Sequence, residues 1–261
     1  AARVQFEQFF TPQLAAQLEK DPHLLEGRDA HITVLFADIR GFSGISEQLG
    51  PARTMTWIQD TMGTLSECVR ECEGVLVDFL GDELMAMWGA PFAQPDHAEL
   101  ACDAALRMLA TLPEINNRWR RELGSEVRIG IGLNSGLARV GNTGSKQRMK
   151  YGPLGDTVNI ASRVQGATKY LGADCLITGT TLAALASPHP TRRLARVKVV
   201  NIAQPLDLYE LIADAPDQWP ALCARYHEVL NVLESKNLDQ AAALSARLHA
   251  DFPGDPAVSA L

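Results

Sequence analysis

Two apolar strand patterns that each meet an aspartate constrain this chain more than anything else in it. His31-Ile32-Thr33-Val34-Leu35-Phe36-Ala37-Asp38 is a near-continuous apolar, β-branched run ending in a carboxylate, which reads as a central strand followed by a Gly41 loop. Further on, Val75 to Leu80 and Leu84 to Trp88 flank Gly81-Asp82. Glycine supplies the positive φ of a tight turn, so these segments read as a β-hairpin. Helical patterns fill Pro51 to Cys72, stopped by Gly74, and Asp96 to Arg121, with a kink or break expected at Pro113. Glu126 to Leu133 then alternates Val127, Ile129, Ile131 and Leu133 as a strand. The order βαββαβ is the split unit of ferredoxin-like α+β folds, with an antiparallel sheet and helices on one face. A right-handed crossover makes the first two strands parallel and slots the third between them. The end of the first strand then lies beside the start of the third, so topology alone brings Asp38 and Asp82 together.

The rest of the chain bounds what such a site can serve. With 261 residues, 46% hydrophobic and 21% charged, the chain can bury a real core, which excludes disorder and fibres. A net charge of −7 argues against a nucleic-acid partner, and an anionic ligand would need metal ions. Five cysteines without a CxxC pair, and six histidines without ligand spacing, indicate neither a disulfide framework nor zinc or haem. No apolar run has transmembrane length and the first residues lack a signal peptide, so no membrane insertion and a cytoplasmic location are expected. The missing initiator Met suggests an excised chain whose upstream regulatory domain lies elsewhere.

Three regions are expected. Residues 1–29 hold a lead-in helix over 4–20, interrupted at Thr11-Pro12, and 30–213 the main domain. In the latter, Gly136 to Arg148 reads as a strand and an extended basic arm, Asp156 to Leu171 as a helix, and Arg193 to Val200 with Pro205 to Ile212 as a closing hairpin. Residues 214–261 carry two Ala/Leu-rich helices, Ala221 to Leu233 and Leu238 to Phe252, like a fragment of a tetratricopeptide array that docks on the main domain or belongs to a longer array.

Two converging aspartates followed by a glycine loop of free N–H groups can hold divalent metals and a polyphosphate, which points to phosphoryl or nucleotidyl transfer. On pattern alone, two solvated turn aspartates is the competing reading. Four blocks narrow the choice: Val34-Leu35-Phe36-Ala37-Asp38-Ile39-Arg40-Gly41-Phe42-Ser43, Phe79-Leu80-Gly81-Asp82-Glu83-Leu84-Met85-Ala86, Val140-Gly141-Asn142-Thr143-Gly144-Ser145, and the run from Tyr151-Gly152-Pro153-Leu154-Gly155-Asp156-Thr157 to Arg163. In order and spacing, over roughly residues 30–212, they resemble the signature blocks of class III nucleotidyl cyclases. That resemblance implies conversion of a nucleoside triphosphate to a 3′,5′-cyclic monophosphate and pyrophosphate. It implies two Mg²⁺ or Mn²⁺ ions on Asp38, Asp82 and the Ile39 carbonyl, and phosphates cradled by the loop amides from Ile39 to Phe42, those of Gly41 and Phe42 among them. Asn159 would orient the ribose and Arg163, one turn later, would stabilise charge on the α-phosphate. It further implies a homodimer, the metal aspartates coming from one protomer and the base-reading residues, Asn159 and Arg163 from the other, with Thr143 to Lys150 reaching across.

At the positions where adenylyl cyclases read the base, this chain has Asp78 and Gly152. Guanine presents N1–H and N2–H₂ as donors, which a carboxylate accepts, whereas adenine's N1 is itself an acceptor. The expectation is therefore a guanylyl cyclase, with an adenylyl cyclase of atypical base recognition or a catalytically weak regulatory module as alternatives. A diguanylate cyclase is disfavoured by Leu80-Gly81-Asp82-Glu83-Leu84, which lacks that family's second Gly and Phe. Where family members carry a triphosphate-contacting Lys, the chain has Val200-Asn201, so weak triphosphate binding is expected unless Arg196 compensates.

Overall fold

A computed structural model describes residues 15, 19–21, 23, 26–144, 150–198 and 205–261. The lead-in helix expected over 4–20 falls almost wholly outside these residues, as do 145–149 of the arm and Val200-Asn201.

Strand β1 (Arg28–Ile39) forms the middle of a mixed sheet. It runs antiparallel to β3 (Glu83–Trp88) on one side and to β4 (Ile129–Asn142) on the other. The order is β2-β3-β1-β4-β6-β8-β7, where β2 is Val75–Leu80, β6 Cys175–Thr178, β7 Thr191–Val197 and β8 Leu206–Leu211. Strand β5 (Tyr151–Leu154) pairs with the far end of β4. The hairpin thus places β3 between β2 and β1, as the crossover rule required. Strand β4 is longer than expected. It does not stop at Leu133 but runs on to Asn142, because β1 extends beside it to Arg28 and supplies ladder partners throughout.

Helix α1 (Phe42–Glu71) consists of two segments meeting at Gly50 (φ 72°, ψ 166°), with Pro51 opening the second. The first segment, directly after Gly41, was not legible as a helix. Helix α2 (His97–Leu123) continues through Pro113 as one element, since Ile115, Trp119 and Leu123 beyond it enter the same core as Met108. Leu35, Ala37 and Ile39 of β1 face this core with Trp57, Leu65 and Met108.

The two helices of the βαββαβ unit, α1 and α2, share one face of the sheet as expected, and a later helix covers the other. Ile32, Val34 and Phe36 face the opposite way, into a second core with Met85, Met87, Val140, Tyr151 and Ala161 of helix α3 (Asp156–Ala167). A strand apolar on both faces needs cover on both.

After β6, the short helix α4 (Gly179–Ala183) leads towards β7. Helices α5 (Trp219–Glu234), α6 (Leu238–Asp251) and α7 (Pro256–Ser259) pack on the β7–β8 end of the sheet, where Trp219, Tyr226, Val229, Leu248 and Val258 join Leu176, Leu194 and Leu208 in a third core. Arg192, almost fully buried, ties them down: its Nη2 donates to Glu210 at 2.5 Å and to Asp255 at 3.1 Å, with its guanidinium 5.0 Å and 4.9 Å from the Trp219 and Tyr226 rings. Burying such a cation is tolerable because two carboxylates and two ring faces replace its water.

Candidate active site

Asp38 lies opposite Glu83, so it adjoins Asp82 in the turn between β2 and β3. That turn needs Gly81, whose φ is +70°. The Ile39 amide donates to the Asp82 carbonyl at 3.3 Å, pinning the hairpin tip to the end of β1, and the Arg40 amide donates to the Arg128 carbonyl at 2.8 Å, so these two of the four loop amides expected to cradle phosphates are already spent on the sheet. Burial first, then the neighbouring Asp82 carboxyl, then the Glu83 charge, push Asp38 up to about 7, against the opposing pull of the Ile39 backbone. Glu83 is raised as well, by burial and by Asp82. Glu83 is a participant that sequence reasoning passed over, although its place directly after Asp82 was the available signal.

Excess negative charge of this kind is what a cation relieves. Among the described residues no group of three or more His, Cys, Asp or Glu could hold a metal. The groups that meet here are the Asp38 and Asp82 carboxyls with Glu83 beside them, all hard oxygen donors. Such a set suits Mg²⁺ or Mn²⁺, which fill their remaining positions with substrate phosphates and water. The donors present fit the expected ions.

Beside the carboxylates the chain turns through Gly41 (φ +70°) into α1. The Gly41 carbonyl already accepts from Gly44 and Ile45, while the first helical amides, beginning at Phe42, have no partner within the helix. The Phe42 ring stacks on buried Trp57 at 5.8 Å, so its side chain anchors the loop and its backbone is left for an anion.

Asp78 and Gly152 also come together. Strict alternation would put Asp78 on the Leu76 face, under α1. The register of β2 against β3 shifts between Leu76 and Asp78, a bulge that sets Asp78 opposite Met85 and so on the face of Tyr151 and α3. There Asp78 Oδ2 accepts from Lys150 Nζ at 2.5 Å and Oδ1 from the Phe79 amide at 2.9 Å. Asp78 is half-buried and paired. Gly152 is buried in β5, where a Cβ would come within 2.8 Å of Val77 Cγ1. Lys150 is a second residue the sequence reading used only as part of the arm; its lack of a predicted partner hid it.

Asn159 and Arg163 are exposed on the outer side of α3, whose inner side buries Thr157, Ala161 and Val164. The single chain does not gather them around Asp38, whose acting neighbours are Asp82, Glu83 and Ile39. Arg196 is committed elsewhere, with Nε and Nη2 each 2.9 Å from Asp207 oxygens, so it does not stand in for the triphosphate lysine. No helix among the described residues is long and apolar enough to cross a membrane.

The family model for the adenylate and guanylate cyclase catalytic domain matches residues 26–203. Adenylate cyclase 1 of Rhizobium meliloti (strain 1021) is 35% identical over 181 residues, 69% of this chain and 27% of that protein. An adenylate cyclase of Anabaena cylindrica is 29% identical over 189 residues, 70% of this chain and 37% of that one. The chain thus spans well under half the length of these relatives. Among solved structures, the adenylyl cyclase CyaB from P. aeruginosa superposes with a TM-score of 0.68 at 27% identity, over 74% of this chain and 99% of that one. The guanylyl cyclase Cya2 gives 0.65 at 29% identity, over 73% and 96%.

Proposed function

This chain belongs to the adenylate and guanylate cyclase catalytic domain family, and on that premise we propose that it cyclises a purine nucleoside triphosphate, GTP before ATP, at sites shared between two copies of itself. The observation that carries the nucleotide preference is the Asp78–Lys150 pair beside Gly152. Guanine's edge presents O6 as acceptor beside N1–H and N2–H₂ as donors. Lys150 can serve O6 while both Asp78 oxygens serve N1–H and N2–H₂; the missing side chain of Gly152 makes way for Val77, which packs on β5 beside this pair. Adenine offers one donor, N6–H₂, and one acceptor, N1, so it uses one Asp78 oxygen and the lysine. An unmet polar group in a desolvated site costs about 1–3 kcal/mol, enough for roughly 10- to 100-fold selectivity. The second reading, an adenylyl cyclase, draws on the same pair's ability to serve adenine and on the printed names of relatives from Rhizobium and Anabaena.

In this reading Asp38, Asp82 and the Ile39 carbonyl would hold two Mg²⁺ or Mn²⁺ ions, which would supply Lewis acidity at the ribose 3′-hydroxyl and the triphosphate. The amides after Gly41 hold phosphate oxygens. Asn159 from the partner copy orients the ribose for in-line attack, and Arg163 offsets charge growing on the α-phosphate. The 3′-hydroxyl gives its proton to water, the 3′-oxygen bonds to the α-phosphorus, the bond to the bridging oxygen breaks, and pyrophosphate leaves. Asn159 and Arg163, solvent-facing in one copy, meet the carboxylates of the other only in a two-fold dimer.

The test is product analysis after incubation with equimolar ATP, GTP, CTP and UTP in Mg²⁺ or Mn²⁺. Predominant cyclic GMP is expected. Predominant cyclic AMP would establish the adenylyl reading instead, and no cyclic product would leave the regulatory module.

A further inference from the structure

Along β4 the residues on the α3 side are Gly130, Gly132, Asn134 and Gly136, which pair across β1 with Asp38, Phe36, Val34 and Ile32. The glycines are a seat. A Cβ at Gly132 would fall 2.1 Å from the Gln165 amide nitrogen, one at Gly130 2.4 Å from Thr168 Oγ1, and one at Gly136 2.8 Å from Thr157 Oγ1. They let α3 lie against the strand, but contact of this kind is non-directional and fixes neither the axial position nor the rotation of a helix.

Asn134 is the one side chain in that row, and it is buried. Its Nδ2 donates to the Thr157 carbonyl, in the first turn of α3, at 3.0 Å. A carbonyl can only accept, so the amide's orientation is fixed. Its Oδ1 accepts from Thr178 Oγ1 at 2.8 Å and Thr180 Oγ1 at 3.0 Å, hydroxyls at the β6–α4 junction. Thr157 Oγ1 returns a bond to the Leu137 carbonyl at 2.6 Å. Hydrogen bonds are directional where packing is not, so this arrangement can hold α3 in one register on the sheet.

We propose that Asn134 is a positioning residue that locks the register of α3 and thereby sets where Asn159 and Arg163 are presented. The inference rests on the reading of α3 as the carrier of those two groups. Asn134 touches no substrate; it acts through the Thr157 carbonyl, two residues before Asn159. Thr178 and Thr180 align its amide.

The test compares kcat and KM of the full chain with Asn134→Asp, which keeps the shape but replaces the donor, with Thr180→Ala, which removes one aligning hydroxyl at an exposed position, with Arg163→Ala, and with Asn134→Asp in the Arg163→Ala background. Thermal melts report the folded fraction. Asn134→Asp is expected to lower kcat roughly 10- to 100-fold with KM within about twofold, since misplacement of about 1 Å can cost that much. Thr180→Ala is expected to show a smaller fall of the same kind. The double variant is expected to be slower than Arg163→Ala by clearly less than the factor by which Asn134→Asp slows the unmodified chain, because only the share that runs through Asn159 is left to lose. An unchanged kcat, a loss that only follows the folded fraction, or a loss that multiplies with that of Arg163→Ala would each overturn the proposal. If Asn134→Asp does not fold, Thr180→Ala decides on the same criterion. An Arg163→Ala variant with full kcat would overturn the reading of α3 and this inference with it; a costly Arg163→Ala beside a harmless Asn134→Asp overturns this inference alone.

Discussion

Asp38 keeps its proton in the folded chain up to about 7, whereas an ordinary aspartate gives it up near 3.8. Between those values the folded state binds more protons than the unfolded one, so this residue lowers stability as pH rises through that window. Without divalent cations, the melting temperature is expected to fall between about pH 4 and about pH 7, and Asp38→Asn to flatten that fall while abolishing cyclase activity. Calorimetry with and without Mg²⁺ checks both, and a wild-type profile parallel to that of the variant would contradict it. The base-reading pair gives a second expectation at this scale. Asp78→Asn leaves Lys150 without its carboxylate and replaces one acceptor by a donor, so the GTP-to-ATP ratio of kcat/KM should fall by roughly tenfold or more. Competition assays with both nucleotides read that ratio directly. The aspartates themselves were visible in the sequence because each ends a strand pattern. The Lys150 contact was not, because it joins residues 72 positions apart across a bulged strand.

At the level of elements, β2 and β4 show how far alternation can be read. In β4, Ile129, Ile131 and Leu133 mark the face turned to α1 and α2. The other parity, Gly130-Gly132-Asn134-Gly136, carries no apolar signal, and its meaning emerges only once α3 lies on top of it. Gly132→Ala should be among the most damaging small substitutions in the domain, because the added methyl meets backbone of α3 rather than a side chain that can swing away. A cost of about 3 kcal/mol in denaturant unfolding is expected. In β2, alternation read from Val75 puts Asp78 on the wrong face; the bulge moves it. A bulge depends on what the neighbouring strand offers, which no local pattern encodes. For similar reasons Pro113 does not divide α2: the penalty for the lost helical bond is offset by the burial of Ile115, Trp119 and Leu123.

For the whole molecule, the proposed dimer makes a prediction that no single-chain reading shares. Asp82→Ala and Arg163→Ala each disable both sites of their own dimer. A mixed dimer carries one site with both defects and one with neither, so mixing the two inactive variants in equal amounts should recover roughly a quarter of wild-type activity by random pairing. No recovery after subunit exchange would exclude shared sites. The helices after residue 214 belong to the same physical unit as the sheet, since Arg192 and the third core join them to β7 and β8. Apolar helices in sequence announce that they must be covered, but not by what. The order of strands and helices, and with it the meeting of Asp38 and Asp82, was determined by the sequence alone, because periodicity and crossover handedness are local rules with few solutions. The face taken by Asp78, the Lys150 contact, the seat of α3 and the docking of the tail were decided by tertiary structure. Each depends on the close approach of segments distant in sequence, where sterics and hydrogen-bond direction override the pattern of any one segment.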